Sequence, residues 1–500
     1  MNKLKFYSTL LTCFIIITLT NAQNQNSIRL NAMIEQGMKD WQIPGLSAIV
    51  VKDGEVVFQK SYGVRDKEAN LPVDNNTLFA MASTTKAIVA MSLGMLVDQG
   101  KIKWTDKVRD HLPAFKLSDV YVSADARVKD LLTHNLGIEN ADLLWVLDSM
   151  STAQTVERFS LANKVYPLRG GYTYQNIMFV IAGQLIEAVS GHHWTDFVSQ
   201  NIFKRLEMTR TRAKSTDIIS AGNYTYPYFN DSEDGIVRMN HTFSDQIGSA
   251  GMIWSCTNDI GNYLRFLVNN GVYKGDTLLR PATFDYLFKP QSMLPDEGAY
   301  PTNALTKPKW NTYGLGWFQQ DYKGTKLDFH TGSLSGLVAI AGLVRDHNMA
   351  VYVFANLDHA ELRHAIMYKA IDLFVFGDDS RDWHAETFKL YEEIQQKELD
   401  TLKKRKDGRV MNTKPSLNIN QYAGIYKNQM LGKLTVSVKN EKLNLNFNDY
   451  RSYDAEHWHF DTFITSKNQR SRSESLFNFI LDQSGKAESV EIFGKKFSRE

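Results

Sequence analysis

The chain shows three regimes of apolar and polar patterning, and each predicts a different kind of element. In the first, Lys3 and Lys5 precede an apolar run from Phe6 to Leu19 that ends at Thr20-Asn21-Ala22. A positive start, a short apolar stretch and a small residue at its end make a secretory signal over residues 1–22. The run is shorter than the ~20 residues a bilayer span needs. Cys13 lies inside the run rather than at its end, which argues against a lipid anchor. With no later stretch long and apolar enough to span, the chain is expected to be periplasmic or secreted, with no transmembrane segment after cleavage.

In the second regime, helical and strand-like runs alternate. Ser27 to Trp41 reads as an amphipathic helix stopped by Pro44-Gly45. Leu46–Lys52 and Glu55–Tyr62 are β-branched runs joined by Asp53-Gly54, a strong hairpin signal. A helix is predicted from Ser83 to Gly100, apolar on almost every face and therefore buried all round. Further helices are predicted over Asn176–Val189, Asp259–Val268 and Arg363–Phe376, with strands at Leu337–Leu343 and Met349–Ala355. Hairpins with helices at both ends of the segment suggest α+β rather than a parallel array.

The third regime follows Gly377. Trp383 to Arg409 is highly charged and is expected to be an exposed linker helix. Its basic end, Lys403-Lys404-Arg405-Lys406, reads as a solvated face before it reads as a site for acidic lipid or polymer. Beyond Leu417 the period becomes two, as in Leu434/Val436/Val438 and Leu443/Leu445/Phe447, with Ser475–Leu481 and Ser489–Phe493 as further strands. This is a small all-β, barrel-like domain. The expected division is a signal over 1–22, a main α+β domain over 27–377, a charged linker over 378–414 and the β-domain over 415–500.

Composition narrows the function classes. Of 500 residues, 43% are hydrophobic and 22% charged, which suits a sizeable core. A formal net charge of +2 gives no field to attract nucleic acid, and no basic block carries interleaved aromatics. Once Cys13 leaves with the signal, Cys256 stands alone and cannot form an intramolecular disulfide. It reads as a small buried residue. His457 and His459 share a strand face, but no carboxylate or cysteine at ligand spacing completes a metal site. His192-His193 and the His359/His364 pair do no better, and His134 reads as structural. No metal and no cofactor are expected.

Candidate chemistry begins at Ser83-Thr84-Thr85-Lys86. Positions i and i+3 share a helix face, so the Ser83 hydroxyl and the Lys86 amine point to one place. Both sit at a helix start, where free N–H groups favour developing negative charge. Burial lowers a lysine pKa and lets the neutral amine accept the serine proton. Ser-x-x-Lys alone is common; a lysine in the first turn of an otherwise apolar helix is not. Tyr174-Gln175-Asn176, just before a second apolar helix, and His330-Thr331-Gly332, leading into a strand-like run, follow in order.

Together these motifs resemble the penicillin-binding protein and class C β-lactamase family of serine hydrolases. Phe79 to Lys86, Val128 to Gly137, Gly248 to Gly251 and Leu334 to Gly336 extend the likeness over roughly residues 28–375. The resemblance implies a β-lactamase/transpeptidase-like antiparallel sheet flanked by helices. It implies Ser83 as nucleophile, Lys86 as its base or proton relay and Tyr174 as a proton shuttle. It further implies that Asn176 binds substrate or Lys86, and that His330 and Thr331 bind a substrate carboxylate or shape the proton network. The backbone N–H groups of Ser83 and Ser333, beside Gly332, would form the oxyanion hole. The chain departs from the family pattern at His330, where true β-lactamases carry lysine, and at Gln175, where serine or alanine is more usual. Arg205-Leu206-Glu207-Met208 and Asn135-Leu136-Gly137 differ from the common Pro-Leu-Gly-Met and Thr-Ser-Gly. Tyr422-Ala423-Gly424-Ile425-Tyr426 and His457 to Phe463 resemble the lipocalin-like β-domain often fused after such hydrolases.

The expected function is hydrolysis of small peptides, amides or esters through an acyl-enzyme. A D-amino-acid peptidase or carboxypeptidase comes first, an esterase second and a weak β-lactamase third. A non-catalytic penicillin- or peptide-binding sensor or scaffold is the alternative from another class. The partner is a small-molecule or peptide substrate, and the sequence leaves oligomeric state open. Tyr224, Tyr226, Tyr228 and Phe229 either wall the substrate pocket or pack a loop, and the sequence does not separate the two.

Overall fold

A computed structural model describes residues 24–500. The signal assigned to residues 1–22 lies outside the described residues. Helix α1 covers residues 24–40 and leads into β1 (Gly45–Lys52) and β2 (Glu55–Asp66). The turn between them places Asp53 at φ 53° and Gly54 at φ 83°, the paired positive values of a tight hairpin turn. With β3 (Leu71–Pro72), β4 (Ser292–Met293), β5 (Asn311–Tyr313), β6 (Phe318–Tyr322), β7 (Thr325–Leu334), β8 (Leu337–Val344) and β9 (Met349–Ala355), they form one sheet. Its order is β4-β5-β6-β7-β8-β9-β1-β2-β3, antiparallel throughout.

The central strands read as unbroken apolar runs because both of their faces are covered. Along β9, Val351 and Val353 enter one core while Tyr352 and Phe354 enter the other. The first core is closed by α1, by α5 (Leu362–Ile371) and by the start of α6 (Trp383–Asp407). The second holds α2 (Thr85–Asp98), α3 (Asn176–Ser190) and α4 (Thr257–Val268). Residues Lys86 to Leu96 of α2 are all buried, as the all-round apolar pattern requires. Gly191, at φ 76°, closes α3.

The C-terminal strands, from Gly424–Asn428 to Lys495–Arg499, close into an eight-stranded antiparallel barrel. Leu434, Val436, Leu443, Leu445 and Phe447 line its interior, the inward half of the period-two pattern. Among the described residues no helix is long and apolar enough to cross a membrane.

α6 differs from the exposed linker the charge content suggests. Trp383 is fully buried: its ring stacks on Tyr368 at 4.6 Å and its Nε1 donates to Asp372 Oδ2 at 2.8 Å. Phe388 packs edge-on against Trp41, just after α1. The basic end is largely solvated, with Arg405 reaching Glu474 of the barrel at 3.6 Å. α6 is therefore anchored at its start and free along its charged length. Trp383→Ala is expected to destabilise the main domain by about 3–5 kcal/mol in urea denaturation; a loss within about 0.5 kcal/mol would restore the exposed-linker reading.

Candidate active site

Ser83 sits in a 3₁₀ turn, Ala82–Thr84, immediately before α2. Ala82 takes φ 46°, a left-handed conformation that costs a non-glycine residue about 1–2 kcal/mol. Lys86 has no exposed surface. Its Nζ lies 3.0 Å from Ser83 Oγ, 2.7 Å from Asn176 Oδ1 and 2.7 Å from the Ala250 carbonyl oxygen. Burial pulls its pKa from 10.5 down to about 7, a shift that the negative charge of Asp142 partly opposes.

The neighbours decide what the neutral amine does. A neutral amine has two N–H donors and one lone pair. The Ala250 carbonyl can only accept. Asn176 is held with Oδ1 toward Lys86 because its Nδ2 donates to both oxygens of Asp142, at 3.0 and 3.1 Å. Those two acceptors take the two N–H groups, so the lone pair is left for the Ser83 hydroxyl proton.

Tyr174 completes the other side. Lys86 Nζ stands 5.0 Å from its ring centroid, and Ser83 partly offsets the effect of burial on its hydroxyl. Burial raises its pKa well above 10, so it keeps its proton where the lysine loses one. The two groups thus have opposite character, one a base and one an acid. His134 packs on Tyr174 at 4.3 Å between ring centroids, and its Nδ1 accepts the Gln175 backbone N–H. It is buried and its pKa is pushed well down by burial and by Lys86, so it serves as a neutral prop for Tyr174.

β7 runs alongside and carries the third motif. Gly332 passes so close to the Ser83 turn that a Cβ there would stand 2.4 Å from the Met81 oxygen and 2.8 Å from Ser83 N. Only glycine fits, and Ser333 follows it with its side chain exposed. The Gly332 carbonyl accepts from Arg363 Nη1 at 2.6 Å, which fixes the strand from behind. His330 is buried with both ring nitrogens engaged. Nδ1 donates to the Thr331 carbonyl at 2.6 Å, so Nε2 accepts from the Tyr313 hydroxyl at 2.9 Å. Burial and then Lys86 push its pKa to about 3, leaving the ring neutral. Thr331 is buried as well, its hydroxyl bonded to Tyr300.

Ser83, Lys86, Tyr174 and Asn176 meet at one point, and His330, Thr331, Gly332 and Ser333 form the adjoining stretch of β7, beyond its pairing with β6. The tyrosine cluster instead packs a loop: Tyr228 is buried and bonds Glu68, while Tyr224 and Tyr226 bond each other and pack on His241. Cys256 is buried, with its thiol pushed up to about 12 by burial. His457 Nε2 donates to the Phe460 carbonyl, and His459 Nδ1 accepts the Val410 N–H. Among the described residues no cluster of histidine, cysteine and carboxylate side chains could hold a metal ion. Sequence reasoning missed Asp142, Tyr313 and Tyr300. A signal existed for Tyr313, in the glycine- and aromatic-rich stretch Tyr313-Gly314-Leu315-Gly316-Trp317.

A serine beside a dry lysine at the foot of a buried helix, facing a sheet strand, belongs to the penicillin-binding type of serine hydrolase fold. A family model described as Beta-lactamase matches residues 30–375, and the chain belongs to that family. A second model, a domain of unknown function (DUF3471), matches residues 408–499. The chain is similar to the unguisins hydrolase ungD' of Aspergillus campestris, 26% identical over 443 residues, covering 83% of this chain and 78% of that protein. It is also similar to protein flp of Staphylococcus aureus, 25% identical over 346 residues and covering 68% of this chain. It spans 65% of the length of that relative. The fold is shared with the octameric penicillin-binding protein homologue from Pyrococcus abyssi, with a TM-score of 0.62 at 21% identity, covering 94% and 98% of the two chains.

Gly332→Ala should abolish labelling of Ser83 by a fluorophosphonate probe while leaving the far-UV circular dichroism spectrum unchanged. Labelling at the wild-type rate would contradict the close approach of β7 to the Ser83 turn.

Proposed function

We propose that the chain is a periplasmic or secreted serine hydrolase that acts on small peptides, amides or esters through an acyl-enzyme on Ser83. The observation that carries this reading is the hydrogen-bond set of Lys86, whose two acceptors leave its lone pair for the serine proton. Lys86 takes that proton as Ser83 Oγ attacks the substrate carbonyl. The oxyanion that forms is met by the backbone N–H groups of Ser83 and Ser333. Tyr174, protonated through burial, donates to the leaving amine or alkoxide and recovers its proton when water attacks the acyl-enzyme. The signal-like pattern of residues 1–22 supports export.

D-amino-acid peptides are the first substrate class. The neutral His330 and the engaged Thr331 favour substrates with no free carboxylate at that edge, that is, aminopeptidase or ester substrates over carboxypeptidase ones. They also argue against efficient β-lactam hydrolysis, since a neutral imidazole gives a carboxylate less than an ammonium does. A sensor that acylates once and does not turn over is the reading from another class.

The test is Ser83 labelling by a fluorophosphonate probe, followed by turnover of D-amino-acid peptides, p-nitrophenyl acetate and nitrocefin. Wild type should label and turn over, and Ser83→Ala should do neither. The labelling rate should rise about tenfold per pH unit below pH 7 and level off above, because only neutral Lys86 is a base and its pKa is about 7. Labelling that persists in Ser83→Ala would move the nucleophile elsewhere. Labelling without turnover on any substrate would favour the sensor. A kcat/KM for nitrocefin above that of every peptide and ester would overturn the substrate order.

A further inference from the structure

Asp142 takes no part in the chemistry described so far, yet it touches the group that orients Lys86. Its Oδ1 accepts from Asn176 Nδ2 and from Trp145 Nε1, each at 3.0 Å. Its Oδ2 accepts from Asn176 Nδ2 at 3.1 Å and from Asn140 Nδ2 at 3.1 Å. Among the described residues no arginine or lysine forms an ion pair with it. An ionised carboxylate can only accept, so it admits one orientation of the Asn176 amide. The inverted amide would turn an NH₂ toward Lys86 and remove one of its two acceptors. Asp142 therefore decides where the lysine lone pair points.

Asp142 is carried on a loop gripped from both sides. Behind it, Gln175 Nε2 donates to the Glu139 carbonyl at 2.7 Å, so the residue that replaces the family's usual serine or alanine ties this loop to α3. In front of it, the short helix Leu143–Val146 ends with free carbonyls, as every helix does. The barrel supplies their donors: Arg451 Nε to the Val146 oxygen at 3.2 Å and Asn448 Nδ2 to the Leu147 oxygen at 3.3 Å. Lys495 of the barrel pairs with Glu139 at 3.0 Å. At Gly432 the two domains come so close that a Cβ would stand 2.6 Å from Arg158 Nη1 of the main domain. One continuous apolar core includes both Leu144 and Leu147 of the loop segment and the barrel interior.

We infer that Asp142 is a positioning residue for the Ser83–Lys86 pair, acting through Asn176, and that the C-terminal barrel serves the reaction by holding the Asp142 loop in place. The inference rests on the reading of Ser83 as nucleophile and Lys86 as base. The groups that face Lys86 are Ser83 from its own turn, Tyr174 and Asn176 at the start of α3, the Ala250 carbonyl and the Phe179 ring. The titratable groups that sense it are Tyr174, His134, His330 and Asp142. Burial keeps the first three neutral, so Asp142 is the charge that biases Lys86.

The experiment measures the fluorophosphonate acylation rate against pH in the full-length protein for wild type, Asp142→Asn, Arg451→Ala and the double variant. Removing the Asp142 charge removes what favours the ammonium. The acid limb of Asp142→Asn should therefore move to lower pH, by about half a unit or more, and its plateau rate should fall about tenfold as Asn176 becomes free to invert. Arg451→Ala should show the same two changes at smaller size. In the Asp142→Asn background it should change the rate less than about twofold, because both act through one chain of contacts. An acid limb unmoved in Asp142→Asn, or effects of the two substitutions that multiply in the double variant, would overturn the inference. If Asp142→Asn does not fold, Arg451→Ala carries the test alone, since Arg451 lies on the barrel away from Ser83; an unmoved acid limb there overturns it. Wild-type protein that does not label at Ser83 would instead defeat the underlying reading of the nucleophile.

Discussion

The site depends on keeping one amine dry. α2 is apolar on every face, so it can sit only in the middle of a core, and a lysine in its first turn goes there with it. A shift from 10.5 to about 7 corresponds to roughly 5 kcal/mol against the charged form. That is enough to make the neutral amine about half the population at pH 7 and the main species above it. It would have no directional value without the two acceptors that consume its protons. The Ala250 carbonyl is fixed by backbone and the Asn176 oxygen by a carboxylate. Burial makes the base, and hydrogen bonding aims it.

The sheet serves the same end from the other side. Because both faces of β8 and β9 are buried, the register of β7 against β8 has no freedom to slip. That register sets Gly332 against the Ser83 turn, where no larger residue fits. The same burial empties His330 of charge, since its ring lies beside Lys86 in a pocket of aromatic side chains. One physical condition, the exclusion of water around the first turn of α2, thus produces the base, the protonated Tyr174 and the neutral imidazole together.

Much of this was legible in the sequence, for reasons that can be named. Asp53-Gly54 between β-branched runs has few conformations open to it, and the hairpin forms there. Strict alternation marked the barrel strands, because each needs one face inward. Ser83 and Lys86 share a helix face by their spacing, while Tyr174, Asn176 and His330 are legible through motifs that resemble the penicillin-binding and class C β-lactamase family. Asp142 is not: it meets Asn176 across 34 residues of chain, from a loop with no periodicity, and only the fold brings them together. Trp383 was hidden for the opposite reason. Its surroundings are so rich in charge that a single buried aromatic at the start of the helix makes no visible pattern. Pairing of the barrel with the Asp142 loop uses backbone carbonyls as acceptors, which leave no trace in side-chain identity.

The most direct test of this account is the protonation state of Lys86 itself. Carbon-13 NMR of lysine Cε in uniformly lysine-labelled protein, with the resonance assigned by its loss in Lys86→Met, reports that titration without any substrate. The Lys86 resonance should titrate with a midpoint near pH 7, well separated from the other lysines. A midpoint at the ordinary lysine value of about 10.4 would contradict it, because Lys86 would then be an ammonium at neutral pH with no lone pair to offer Ser83.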